Sequence, residues 1–158
     1  MTATLRSAAH IAALEGLIIV SCSRRKLVSS RPVPALDLYQ GALTPHLREH
    51  LPIGYRSRVR IVSAEHGLLH ADEPIESYDH KLCVPAEAER LRARVTPRLA
   101  VDLSSLALRH VLVVLDPMYM AAVASLFDYA PPLGLTVMPH AGDWIGAAAV
   151  LARWGWVR

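Results

Sequence analysis

Hydrophobic residues in this chain fall into two recurring patterns, short unbroken runs and longer stretches with helical spacing. Four runs rich in Val, Ile or Leu, at 17–21, 59–63, 111–115 and 135–138, read as strands buried on both faces. Between them apolar residues return every three or four positions. Residues 36–50 carry Leu36, Leu38, Tyr39, Leu43 and Leu47 on one stripe, and 85–108 repeats Leu91, Val95, Leu99, Val101 and Leu106 after an opening Pro. Helical patterns over 117–129, again with Pro in the first turn, and 144–154 complete the series. Strands alternating with helices predict an α/β domain of three layers around a mainly parallel central sheet. Continuous apolar strands agree, because they need cover on both faces. The whole of 1–158 reads as one domain, with 1–15 as a short lead-in helix.

Open α/β sheets bind ligands beyond the carboxyl ends of their strands, so chemistry is expected at those ends. They are Ser21-Cys22-Ser23-Arg24-Arg25-Lys26, Ser63-Ala64-Glu65-His66-Gly67, Asp116-Pro117-Met118-Tyr119 and Pro139-His140-Ala141-Gly142-Asp143. Each places polar side chains directly after an apolar strand. In the first, hydroxyls and backbone amides suit a phosphate while Arg25 and Lys26 supply charge; the glycines of a Walker loop are missing. Cys22 reads either as a small buried hydrophobe or as a nucleophile in need of a base. Tyr39 is a candidate for stacking on a base or for core packing.

The second end opens the most heavily titratable stretch. From Glu65 to Asp79, fifteen residues carry Glu65, Asp72, Glu73, Glu76 and Asp79, with no Lys or Arg, beside His66, His70 and Tyr78. Gly67 permits a backbone turn that presents Glu65 and His66 at the mouth of a cleft. A carboxylate or imidazole there can serve as general base or steady a developing cation. His66, His70 and Asp72 raise a metal site as an alternative, but Gly67 breaks the helix that would align the histidines, so no metal and no cofactor are expected. Asp79 is a candidate for activating water and Tyr78 for stacking; Asp116 and His140 are weaker candidates, Asp116 also reading as a helix cap.

Charge sharpens this picture. Residues 1–60 hold nine Lys/Arg and three Asp/Glu, and residues 61–158 hold eight and eleven. A basic half facing an acidic half fits an anionic ligand gripped by the first and transformed by the second. The longest apolar runs fall far short of the ~20 residues of a membrane span. The N-terminal stretch lacks the unbroken apolar core of a signal peptide, and Cys22 and Cys83 fit a reducing compartment. A cytoplasmic protein with no membrane partner is the expectation; the oligomeric state stays open.

Four motifs in order, Cys22-Ser23-x-x-Lys26, Ala35-x-x-Leu38-Tyr39-x-Gly41, Ser63-Ala64-x-His66-Gly67-Leu68-Leu69 and Ile75-x-x-Tyr78-Asp79, resemble a largely uncharacterised family of small bacterial and phage domains. The resemblance covers about 17–82. At a greater distance the chain is similar to the YaaA-type peroxide-stress proteins and the uracil-DNA-glycosylase-like α/β group. That resemblance implies a uracil-DNA-glycosylase-like fold acting on the N-glycosidic bond of a nucleobase, with DNA (ahead of RNA) or a free nucleotide as partner. It also implies a water-activating Asp at the first strand end and a late His-Pro-Ser loop, whereas this chain has Ser21–Lys26 and Pro139-His140-Ala141. The acid or base is therefore sought at Glu65, His66, Asp72 or Asp79. Ser21, Cys22, Ser23, Arg25, Lys26, Tyr39, Ser63, Gly67, Tyr78, Asp116 and His140 are expected to bind substrate. Arg56, Arg58 and Arg60 are further cations for a DNA backbone. A non-catalytic nucleotide or nucleic-acid binding module and a metal-dependent phosphate-ester hydrolase remain as alternatives.

Overall fold

The computed structural model describes residues 15–129 and 133–158; the expected lead-in helix falls almost wholly outside them. The strands in chain order are β1 (Gly16–Ser21), β2 (Val33–Pro34), β3 (Val59–Ser63), β4 (Gly67–His70), β5 (Pro74–Ile75), β6 (His110–Val114) and β7 (Gly134–Met138). The helices are α1 (Ala35–Leu38), α2 (Thr44–His50), α3 (Pro85–Ser105), α4 (Pro117–Met120) and α5 (Trp144–Arg153), with 3₁₀ turns over Ile53–Arg58 and Ala121–Asp128. Five strands form the main sheet in the order β4-β3-β1-β6-β7.

β1 is the centre of that sheet because all six of its residues are apolar or small and all six are buried. Its side chains alternate between two cores. Ile18 and Val20 join Leu36, Leu47, Leu151 and Trp156 on one face. Leu17 and Ile19 join Leu91, Val95, Leu99 and Leu126 on the other. Each fully buried aliphatic side chain contributes about 1.5–3 kcal/mol, so this strand nails both helical layers to the sheet. The result is the α/β arrangement expected from the apolar runs.

β1 pairs in parallel with β3 and β6, and β6 in parallel with β7. The sheet is mixed, however, since β4 runs antiparallel to β3 with Ser63 opposite Gly67 and Val62 opposite Leu68. Gly67 makes this tight return possible: its φ of +79° lies in the left-handed region, where side chains with a Cβ clash. Residues 67–70, not among the four strands expected, are thus an edge strand.

Two expected helices are also broken up. The pattern over 36–50 divides into α1 and α2 because residues 39–43 turn away, Ala42 adopting φ +56°. The pattern over 117–129 gives one α-helical turn, then a 3₁₀ segment with non-helical Val123. Among the described residues no helix is long and apolar enough to cross a membrane.

Across the parallel strands, the chain-order ranks read second, first, third, fourth. The chain leaves β1 for β3 on one side, then returns past β1 to β6 on the other. That reversal opens a crevice beyond the ends of β1 and β6, the place where such sheets take ligands.

Candidate functional site

A cleft of about 560 Å³ occupies this crevice. After β1 it is lined by Cys22, Ser23, Arg24 and Lys26; after β6, by Asp116 and Tyr119; after β7, by Ala141 and Gly142. The acidic loop closes it with Asp79, His80 and Lys81, and Ala42 adds a methyl group. Its volume lies within the roughly 300–1,000 Å³ typical of small-molecule sites.

The turn after β1 is fixed by backbone pairing with residues 38–40. Leu27 N–H donates to the Leu38 carbonyl at 2.7 Å, and Gln40 N–H to the Arg25 carbonyl at 2.9 Å. Ser23 Oγ accepts from Gly41 N–H at 3.0 Å and donates to the Arg25 carbonyl at 2.8 Å. Gly41 has to be small, because a Cβ there would stand 3.0 Å from the Ser23 Cβ. Arg48 donates to the carbonyls of Leu36 and Tyr39, each at 2.7 Å, tying the other side of the turn to α2. The motif residues Ser23, Tyr39 and Gly41 are therefore parts of one clamp.

Beneath this turn lies a line of hydroxyls. Tyr78 Oη is 2.6 Å from Tyr39 Oη and 2.7 Å from Ser63 Oγ. Ser63 Oγ in turn accepts the backbone N–H groups of His66 and Glu65 at 3.0 and 3.2 Å. Burial pushes the Tyr39 hydroxyl up to about 12, and burial likewise raises Tyr78 well above the ordinary tyrosine range. Both rings stay neutral, because burial disfavours the charged phenolate. The Lys26 ammonium sits 4.3 Å from the Tyr78 ring centre, a cation–π contact that holds it at the cleft. Across the cleft, Cys22 Sγ donates to Tyr119 Oη at 3.5 Å, and burial raises Tyr119 too.

The acidic stretch does not converge. Asp72 accepts from Arg56 Nε at 2.8 Å, outside the cleft lining. Glu73 pairs with Arg98 at 2.9 Å, and Glu65 lies 2.6 Å from His80 Nδ1. His80 Nε2 faces Glu87 at 3.6 Å, so the imidazole bridges the β3–β4 turn and α3. Of the expected catalytic carboxylates only Asp79 lines the cleft, beside Lys81. Asp116 lines it from β6; its carboxylate accepts from Ala141 N–H at 3.4 Å and makes no cap bond to α4.

Several other candidates fall elsewhere. Tyr39 is 0% exposed, so its ring offers no face to a base, and Ser21 is equally enclosed. His66 packs edge-on against Tyr78 with ring centres 5.0 Å apart, its Nε2 buried and without a hydrogen-bond partner, and it does not line the cleft. Arg25 and His140 are exposed and also stand outside the lining. Arg60 is buried with Asp102, Arg56 pairs with Asp37 and Asp72, and Arg58 is half-buried with its Nη1 enclosed. Conversely, His80, Lys81 and Tyr119 line the cleft without having been assigned to it. Tyr119 belongs to a strand-end sequence already singled out, and one helical turn after Asp116 was signal enough to find it. Among the described residues no three His, Cys, Asp or Glu side chains gather as a metal-ligand set.

Fold and cleft together define an α/β domain with a charged cleft at the switch point of a mixed sheet. The chain belongs to a family of unknown function, DUF6884, whose model matches residues 17–137. No curated protein and no solved structure matches it.

Proposed function

We propose that the cleft binds a nucleotide unit and hydrolyses its N-glycosidic bond, releasing the nucleobase. One observation carries the reading: two carboxylates, Asp79 and Asp116, share a cleft of small-molecule size with the cations Arg24, Lys26 and Lys81. Cleavage between C1′ and the base nitrogen builds positive charge on the sugar, and a carboxylate held beside it lowers the barrier. The water oxygen bonds to C1′ as the C1′–N bond breaks, its electron pair leaves with the base, and the proton lost by water ends on that nitrogen. Asp116, oriented by the Ala141 N–H, suits the static task of facing the sugar cation. Asp79, with no hydrogen bond among the described residues, suits the mobile task of taking and passing the proton. The distant similarity to the uracil-DNA-glycosylase-like group points to the same bond, although that group's Asp at the first strand end and its His-Pro-Ser loop are missing here. The roles first sought at Glu65, His66 and Asp72 pass to these two residues.

The test is to incubate purified protein with nucleosides, nucleotides and DNA containing ordinary and modified bases, and to follow free base by chromatography. Base release that falls about 100-fold or more in Asp79→Asn or Asp116→Asn is the expected result. A ligand bound but never cleaved would make the cleft a binding module instead.

A further inference from the structure

We infer that the substrate of this cleft is a free nucleoside monophosphate and not a base flipped out of DNA; the inference rests on the glycosidase reading of the same site. Its first support is what the fold has done with its arginines. A protein that grips DNA needs a basic track along several phosphates beside the pocket. Arg60 is sealed into the core with Asp102, and Arg56 is shared by Asp37 and Asp72. Arg58 Nη1 is buried, and Arg48 is turned inward onto carbonyls. The three arginines that the sequence offers for such a track, Arg56, Arg58 and Arg60, are thereby wholly or partly withdrawn.

The cations left at the cleft point to a compact anion. Arg24 and Lys26 come from the β1 turn and Lys81 from the acidic loop, so two separate segments bring positive charge to one cavity. Lys26 is held by the Tyr78 ring and donates one hydrogen to the Arg24 carbonyl at 3.3 Å. An ammonium has three donors, so two hydrogens remain for a ligand. A terminal phosphate carries about −1.5 to −2 charges and three acceptor oxygens, against a single charge on a backbone phosphodiester. Three cations around one cavity match the former.

The approach to the cleft disfavours a polyanion. From Glu65 to Glu89 the chain carries seven carboxylates and one cation, Lys81. Arg56 and Arg98 balance Asp72 and Glu73, while Glu76 is exposed and Asp79, also exposed, lines the cleft itself. A strand of DNA laid along this side would meet like charge within the roughly 8–10 Å screening length. A single nucleotide entering the cavity with its phosphate toward Arg24, Lys26 and Lys81 would not.

The experiment compares four probes by calorimetry and by base release: nucleoside 5′-monophosphates, the matching nucleosides, a single-stranded oligodeoxynucleotide and a duplex. Expected is a monophosphate bound about tenfold or more tightly than its nucleoside, with most of that difference lost in Lys81→Ala and in Arg24→Ala while nucleoside affinity holds. Base released from either DNA but not from monophosphates would overturn the inference and leave the glycosidase reading standing. Monophosphate preferred in binding yet never cleaved would uphold the ligand class and overturn the glycosidase reading. Equal affinity for nucleoside and monophosphate would overturn the inference whatever is cleaved.

Discussion

Arg60 and Asp102 close on one another inside the molecule, whereas Arg24, Lys26 and Lys81 share a cleft with Asp79 and Asp116 without pairing to them. The first two are 3% and 4% exposed. Their contact is two-pronged, Nε to Oδ2 and Nη2 to Oδ1, both at 2.9 Å. Arg60 Nη1 spends its remaining hydrogens on the carbonyls of Ser57 and Val59. Four of its five N–H donors are thus engaged, and burial keeps the fifth from any ligand. In the cleft no ion pair joins the opposing charges among the described residues, and water can solvate each until something better arrives. The same side-chain types thus serve the fold where they satisfy one another, and serve binding where the fold leaves them unsatisfied.

Breaking the closed pair should have the largest effect. Asp102→Ala strands a buried guanidinium and should cost about 3–5 kcal/mol, read as a drop in the urea midpoint. Replacing both partners with apolar residues of similar size should recover most of it. If the single substitution were harmless, the pair would not be the closed structural unit described. The cleft should respond the opposite way: Asp79→Asn and Asp116→Asn should keep their urea midpoints to within about 0.5 kcal/mol while losing about 100-fold or more in base release.

A third measurement probes the hydroxyl line between these regions. The Tyr39 hydroxyl stands at about 12 in the folded protein against 10.0 for a free tyrosine. The folded state therefore holds this proton more tightly than the unfolded chain. Its contribution is complete below pH 10, and it is lost as pH rises from 10 through about 12. The loss is on the order of 2 kcal/mol, seen as a fall in unfolding free energy across that window. Tyr39→Phe should remove part of the fall, the remainder belonging to Tyr78 and Tyr119, which shift the same way. Smallest of all, Asp72→Asn, which opens only the exposed contact with Arg56, should change stability by less than about 1 kcal/mol and leave base release untouched.

The strands were legible because burial on both faces writes itself as an unbroken apolar run, and β3 was bounded to the residue at 59–63. β4 escaped because two apolar residues behind Glu-His-Gly are too few to show a period, and only its pairing with β3 makes it a strand. The break between α1 and α2 was hidden as well, since Leu38, Tyr39 and Leu43 continue a helical stripe across a turn that Arg48 holds from a distance. In the site, the strand ends were a sound guide to the cleft. Counting carboxylates was not, because sequence gives no view of which acids meet an arginine. Asp72 and Glu73 do so, and Asp79, six residues further on, does not.

Ala42 carries a consequence of its own. It keeps a methyl group at φ +56°, in backbone territory that suits glycine, at a cost of about 1–2 kcal/mol. That methyl stands in the wall of the cleft. A hydrogen there would ease the backbone and widen the cavity at that spot. Ala42→Gly should therefore stabilise the fold while trimming one methyl group from the residues around the cleft.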